Sequence, residues 1–155
     1  MGTNQKGISV CAIAASLIAP TLVRADNCSG QYIETTTTSE SAEIAKGTTL
    51  LSFRETNIGV TDDPNNPMNM SAGECSGAGI VTSDGKFQGR GLCARKDKDG
   101  DVFMWSWDTP LGAKRGTWAF VGGTGKYATA KWSGWYEPTL SQGNMSGGRW
   151  GGTCQ

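Results

Sequence analysis

The chain has 155 residues, with 14 basic and 14 acidic side chains, 23 glycines, six tryptophans and no histidine. Its length suits one domain, and a formal charge of zero gives no electrostatic case for nucleic acid. Without histidine there is no Ser-His-Asp or Cys-His site, no zinc site with an imidazole ligand, and no general base of unperturbed pKa near neutrality.

The first 25 residues read as a secretory leader. Lys6 supplies positive charge, Ile8 through Ala19 is almost entirely apolar, and Val23-Arg24-Ala25 offers small residues before a cleavage point at Asp26. Pro20 interrupts the apolar run, which is too short for the roughly 20 residues of a spanning helix. The expected product is exported, periplasmic or extracellular, with no transmembrane segment in the mature chain. Lys6, Arg24 and Cys11 leave with the leader, so the mature domain, residues 26–155, carries a net charge of −2 and four cysteines. In an exported chain, Cys28, Cys75, Cys93 and Cys154 read as two disulfides.

In chain order, strands are expected near Gln31–Thr38, Thr49–Gly59, Ala72–Thr82, Lys86–Arg95, Asp101–Trp107, Gly116–Val121, Ala130–Glu137 and Met145–Cys154. Ser39 to Lys46 is the best helical candidate. Ser83-Asp84-Gly85-Lys86 and Asp97-Lys98-Asp99-Gly100 have hairpin chemistry, and Asp62 to Pro67, with two prolines, must be a loop. Eight sequential strands with short connections point to an all-β, antiparallel, up-and-down sheet. Closing it into a barrel removes its exposed edges.

The turns set a register. If Ser83–Gly85 pairs Thr82 with Lys86, then Cys75 faces Cys93, Gly77 faces Gly91, and Gly79 faces Gly89. Cys75–Cys93 is then one disulfide, leaving Cys28–Cys154 to join the first and last strands of a closed barrel. Pairing Lys96 with Asp101 sets Ala94 against Phe103 and Leu92 against Trp105. The next hairpin sets Trp105 against Trp118 and Phe103 against Phe120. This arithmetic gathers Ile80, Leu92, Ala94, Phe103, Trp105 and Trp107 on the interior face and leaves the cysteines and paired glycines on the other. All six tryptophans lie after residue 104. They either fill a solid core or line an apolar pocket made by Phe103, Trp105, Trp118 and Phe120 with Trp132 and Tyr136.

Two motifs carry possible chemistry. Asp97, Asp99 and Asp101 look like the start of a calcium loop, but Gly100 precedes Asp101 and a strand follows, so we read a solvated hairpin turn and no metal site. Gly122-Gly123-Thr124-Gly125-Lys126-Tyr127 lacks the end of a phosphate loop, and no helix follows it. It reads as a structural glycine turn ending in an aromatic that packs back. With the preceding Trp118-Ala119-Phe120-Val121, this string resembles the penultimate hairpin of allene-oxide-cyclase-like and dirigent-like barrels. With Cys75, Asp84-Gly85-Lys86, Gly91-Leu92-Cys93 and Asp97 to Asp101, it is most similar to small exported bacterial proteins of uncharacterised function. The resemblance implies an eight-stranded barrel with an apolar interior, often in homo-oligomers. Its catalytic residues match nothing here.

The first functional expectation is therefore a binding barrel for a small hydrophobic molecule, with no cofactor and no catalytic residues. The alternative is a cyclase, isomerase or dirigent-like enzyme on a hydrophobic substrate, working through a buried carboxylate or tyrosine such as Glu137, Tyr136 or Asp108. A solid-cored structural or interaction protein is a third. An outer-membrane barrel is a fourth; it would have to keep Arg90, Arg95 and Lys131 out of lipid.

Overall fold

The computed structural model describes residues 27–154. The expected leader and Cys11 lie outside the described residues. Eight antiparallel strands follow one another: β1 (Cys28–Ala45), β2 (Thr48–Thr61), β3 (Ser71–Thr82), β4 (Phe87–Lys96), β5 (Val102–Thr109), β6 (Gly116–Gly123), β7 (Ser133–Gln142) and β8 (Met145–Thr153). Each pairs with its neighbour in sequence, and β8 pairs back onto β1 from Cys28↔Gly152 to Thr35↔Met145, closing the barrel. Bulges at Thr36/Thr38, Met104/Trp105 and Pro138/Leu140 add the local bend that closure needs.

Ser39 to Ala45, expected as a helix, is strand. It pairs with β2 through Ser39↔Phe53 and Ala42↔Leu50. Cross-strand bonding to a neighbour outweighs a weak local helical preference.

The β3–β4 hairpin has the expected register. Thr82 N–H donates to Lys86 O (3.0 Å), Gly85 takes φ +77°, and Cys75 lies opposite Cys93. Both expected disulfides are present, with Cα–Cα separations of 4.0 Å for Cys75–Cys93 and 5.9 Å for Cys28–Cys154. The second fastens the start of β1 to the residue after β8.

The β4–β5 hairpin differs by one residue. Asp97 and Asp101 close the turn together, through Asp97 N–H to Asp101 O (3.0 Å), so Lys96 pairs with Val102. A shift of one reverses which face each residue takes relative to its neighbours. Cys93 therefore faces Trp105, Gly91 faces Trp107, and Arg95 faces Phe103. The cysteines and Gly77/Gly91 share the interior with the aromatics, while Ile80, Leu92 and Ala94 take the outer face; Leu92 is 55% exposed. On β5–β6 the shift is two, giving Trp105↔Phe120 and Trp107↔Trp118. An even shift preserves the face, so those aromatics stay inside.

The two ends of the barrel differ. At one end the connection 62–70, the Asp97–Asp101 turn and the segment 124–132 fold inward. Met68, Phe103 and Tyr127 are buried there. β7 begins at Ser133, three residues later than expected, because the preceding segment serves in this plug. At the other end, the short turns and the 110–115 connection ring an opening.

Candidate functional site

Side chains at every second position of a strand point into a barrel. Here they do not fill it. A cavity of about 790 Å³ runs from the open end to the plug. Trp105, Trp107 and Trp118 line it on one side, and Phe53 faces Trp107 with ring centroids 5.9 Å apart. The Trp107 ring lies over two glycines: a Cβ on Gly77 or Gly91 would collide with it. Five of the six aromatics expected at a pocket (Phe103, Trp105, Trp118, Phe120 and Tyr136) line the cavity. Trp132 does not. Its ring packs against Phe120 (4.9 Å) and edge-on against Tyr127 (5.7 Å), within the plug.

The floor is the aromatic plug. Tyr127 has no exposed surface; its ring lies 4.8 Å from that of Phe103, and its hydroxyl lies 2.8 Å from Pro67 O and 2.9 Å from Asp97 Oδ2. One side chain from the Gly122–Tyr127 string thus ties together three connections. Asp97, read from sequence as part of a solvated turn, is buried. Its Oδ1 accepts from the amides of Asp99 (2.9 Å) and Asp101 (3.0 Å), and its Oδ2 lies 2.8 Å from Lys126 Nζ. Burial opposes its charge, but the bonds from Lys126, Tyr127 and the two amides prevail and hold its pKa down at about 2. Lys126 also reaches Asp99 (2.7 Å) and lies 3.9 Å from Asp101, so an ammonium occupies the space among the three carboxylates. Among the described residues no group of three His, Cys, Asp or Glu side chains is placed to hold a metal ion.

A polar patch interrupts the apolar wall. Tyr32 and Glu34 of β1, Glu55 and Asn57 of β2, Arg95 of β4 and Tyr136 of β7 all face the cavity. Glu34 accepts from Asn57 Nδ2 and, at 3.4 Å, from Ser146 Oγ; Glu55 accepts from Thr36 Oγ1 at 3.2 Å. Tyr136 shares a short hydrogen bond with Thr109. Burial, then the negative charge of Glu55, raises Glu34 to about 7. Burial also raises Glu55, lifts Tyr136 to about 12, and raises Tyr32, with Glu34 adding to the last. Arg95 is 7% exposed; burial lowers its pKa to about 10, so it remains a cation at neutral pH. It stacks over Trp105 at 5.0 Å. Its guanidinium occupies the space where a side chain on Gly59 would begin. The site therefore offers a carboxyl that exchanges its proton near neutrality beside a buried cation, in an otherwise aromatic chamber.

Two proposed proton-transfer residues lie elsewhere. Glu137 pairs with Arg115 at 2.8 Å, and Asp108 lies 4.0 Å from Arg90; both pairs are on the outer surface, because their positions alternate with inward Tyr136 and Trp107. Of the polar patch the sequence pointed only to Tyr136, because the other members are scattered over β1, β2 and β4. One signal could have found one of them: Cys93, Arg95 and Asp97 alternate, so a correct Cys93 face carries Arg95 inward.

No protein-family model and no curated protein matches the chain.

Proposed function

We propose that this chain is an exported binding barrel that holds one small, largely apolar molecule in its interior. The observation that carries the reading is the open-ended cavity of about 790 Å³ walled by tryptophan and phenylalanine, which falls in the size range of small-molecule sites. A barrel evolved as a solid scaffold would be packed to crystal density, and each void in it would cost stability. Two disulfides support export, since such bonds persist in oxidising compartments. The resemblance of Trp118 to Tyr127 to allene-oxide-cyclase-like and dirigent-like barrels belongs to the same reading. Native mass spectrometry of protein from its own host tests it, alongside titration with the neutral dye N-phenylnaphthylamine. A retained small molecule, or saturable uptake of one dye per chain with quenching of tryptophan emission, is expected. The absence of both a ligand mass and saturable uptake would overturn it.

One observation favours a second reading, an enzyme acting on a hydrophobic substrate. Glu34, raised to about 7, is the kind of group that general acid–base catalysis uses at neutral pH. Its partners are Asn57 and Ser146 rather than a reactive tyrosine, so the binding reading comes first. Incubating any ligand found by mass spectrometry with wild type and with Glu34→Gln separates them: conversion by wild type alone establishes catalysis.

A further inference from the structure

Within the polar patch both carboxylates have neutral hydrogen-bond donors. Glu34 is held by Asn57 and Ser146, and Glu55 by Thr36. Arg95 is different. Among the described residues no carboxylate comes within 4.0 Å of its guanidinium, and its Nε has no hydrogen-bond partner. Its guanidinium lies over the face of Trp105 and against the bare backbone of Gly59, and Glu34 acts on it as a charge without reaching salt-bridge distance. A second donor in the cavity wall, Trp150 Nε1, is likewise buried and unpartnered. Burying a charge or a donor without a partner costs stability, and the cost is offset when a ligand supplies the missing group. Asn57 Oδ1 and Ser71 Oγ are also buried without a partner, but only Arg95 carries a charge, and an unpaired guanidinium calls for an anionic acceptor, which its fork can meet with two hydrogen bonds.

We propose that Arg95 receives the carboxylate head of a small amphipathic ligand whose apolar part lies against Trp105, Trp107 and Trp118. This deepens the binding reading and rests on it. Arg95 sits opposite Phe103 on the β4–β5 pair, deep in the chamber near the plug. The ligand enters head first from the open end. Lys86 and Lys114 line the cavity there, Lys86 already paired with Asp84 at 2.6 Å. The groups facing the head are Tyr32 and Glu34 from β1, Glu55 and Asn57 from β2, Arg95 from β4 and Tyr136 from β7. An added negative charge disfavours the ionised form of Glu34. Protonated Glu34 then becomes a donor, and at neutral pH binding draws a proton from solution.

Calorimetric titration with three probes sharing one apolar tail tests the proposal: phenylbutanoate, phenylbutanol and phenylbutylammonium. At pH 7 the carboxylate should bind at least about tenfold tighter than the alcohol, a factor that corresponds to one good charge-assisted contact. In Arg95→Gln that ratio should fall to near one. If the variant does not fold, wild type alone still decides. Titration in two buffers of different ionisation enthalpy should show proton uptake with the carboxylate and none with the alcohol. Equal binding of carboxylate and alcohol, or absence of proton uptake, overturns the proposal. Tightest binding of the ammonium also overturns it, making Glu34 and Glu55 the receptor. If none of the three binds while N-phenylnaphthylamine does, the head-group assignment alone falls; if that dye fails too, the binding reading falls with it.

Discussion

Replacing Tyr127 by phenylalanine removes one oxygen atom and tests how the closed end of the barrel is held. The ring has no exposed surface and should keep its packing against Phe103 and Phe120. What goes is the hydroxyl, which lies 2.8 Å from Pro67 O and 2.9 Å from Asp97 Oδ2. No water replaces it in a site without solvent access. A hydrogen bond to a charged group contributes about 1.5–3 kcal/mol, and Asp97 keeps Lys126 and two amides, so a loss in that range is expected. For a domain of this size that lowers the melting temperature by about 6–12 °C. Urea unfolding followed by tryptophan emission measures the free energy directly. Acid adds a second readout. The folded pKa of Asp97 lies at about 2, below its ordinary value. Its stabilisation is therefore complete above the ordinary carboxylate range and is lost as pH falls through about 2. Losing one of the bonds that depress that pKa moves the acid transition of the variant to higher pH. A change below about 0.5 kcal/mol, with an unmoved acid transition, would refute the argument that this hydroxyl secures the plug.

Three further outcomes follow from the interior. Replacing both Cys28 and Cys154 by serine should cost up to about 5 kcal/mol, and replacing Cys75 and Cys93 about 3, because the first bond closes a separation of 126 residues and the second only 18; denaturant unfolding of the two variants gives the order. Gly77→Ala places a methyl group against the rings of Trp107 and Phe53, so it should lower the melting temperature and weaken dye binding together as the displaced indole enters the cavity. Glu34→Gln should change the pH dependence of stability. Glu34 is raised to about 7, so its contribution is complete in acid and lost as pH rises through that value; wild type should lose about 2–3 kcal/mol relative to the variant between pH 5 and 8.

The strands were legible where a tight turn fixes both ends of a hairpin. Asp84-Gly85 has one natural geometry, and the Cys75–Cys93 bridge followed from it. Asp97 to Asp101 was harder, because a turn closed by two aspartates and one closed by Lys96 and Asp101 differ by one residue in sequence. That residue decides which face is the interior. With it wrong, Arg95 appeared to lie outside and the aromatics appeared to face away from the disulfide. The aromatic wall was still found, since Trp105, Trp118 and Phe120 keep a common face under an even shift. Of the polar patch only Tyr136 was, because Glu34, Glu55 and Arg95 meet only after β1, β2 and β4 curve around one axis. The role of Tyr127 was half visible: its sequence marks a turn with an aromatic packing back, but its bond to Asp97 across 30 residues depends on closure of the barrel.

The central claim is that the interior is a ligand chamber, and a crystal structure of the protein soaked with phenylbutanoate tests it most directly. The account predicts density for one molecule among Trp105, Trp107 and Trp118, with its carboxylate at Arg95. A chamber filled by its own side chains, or density confined to the outer face of the barrel, would contradict it.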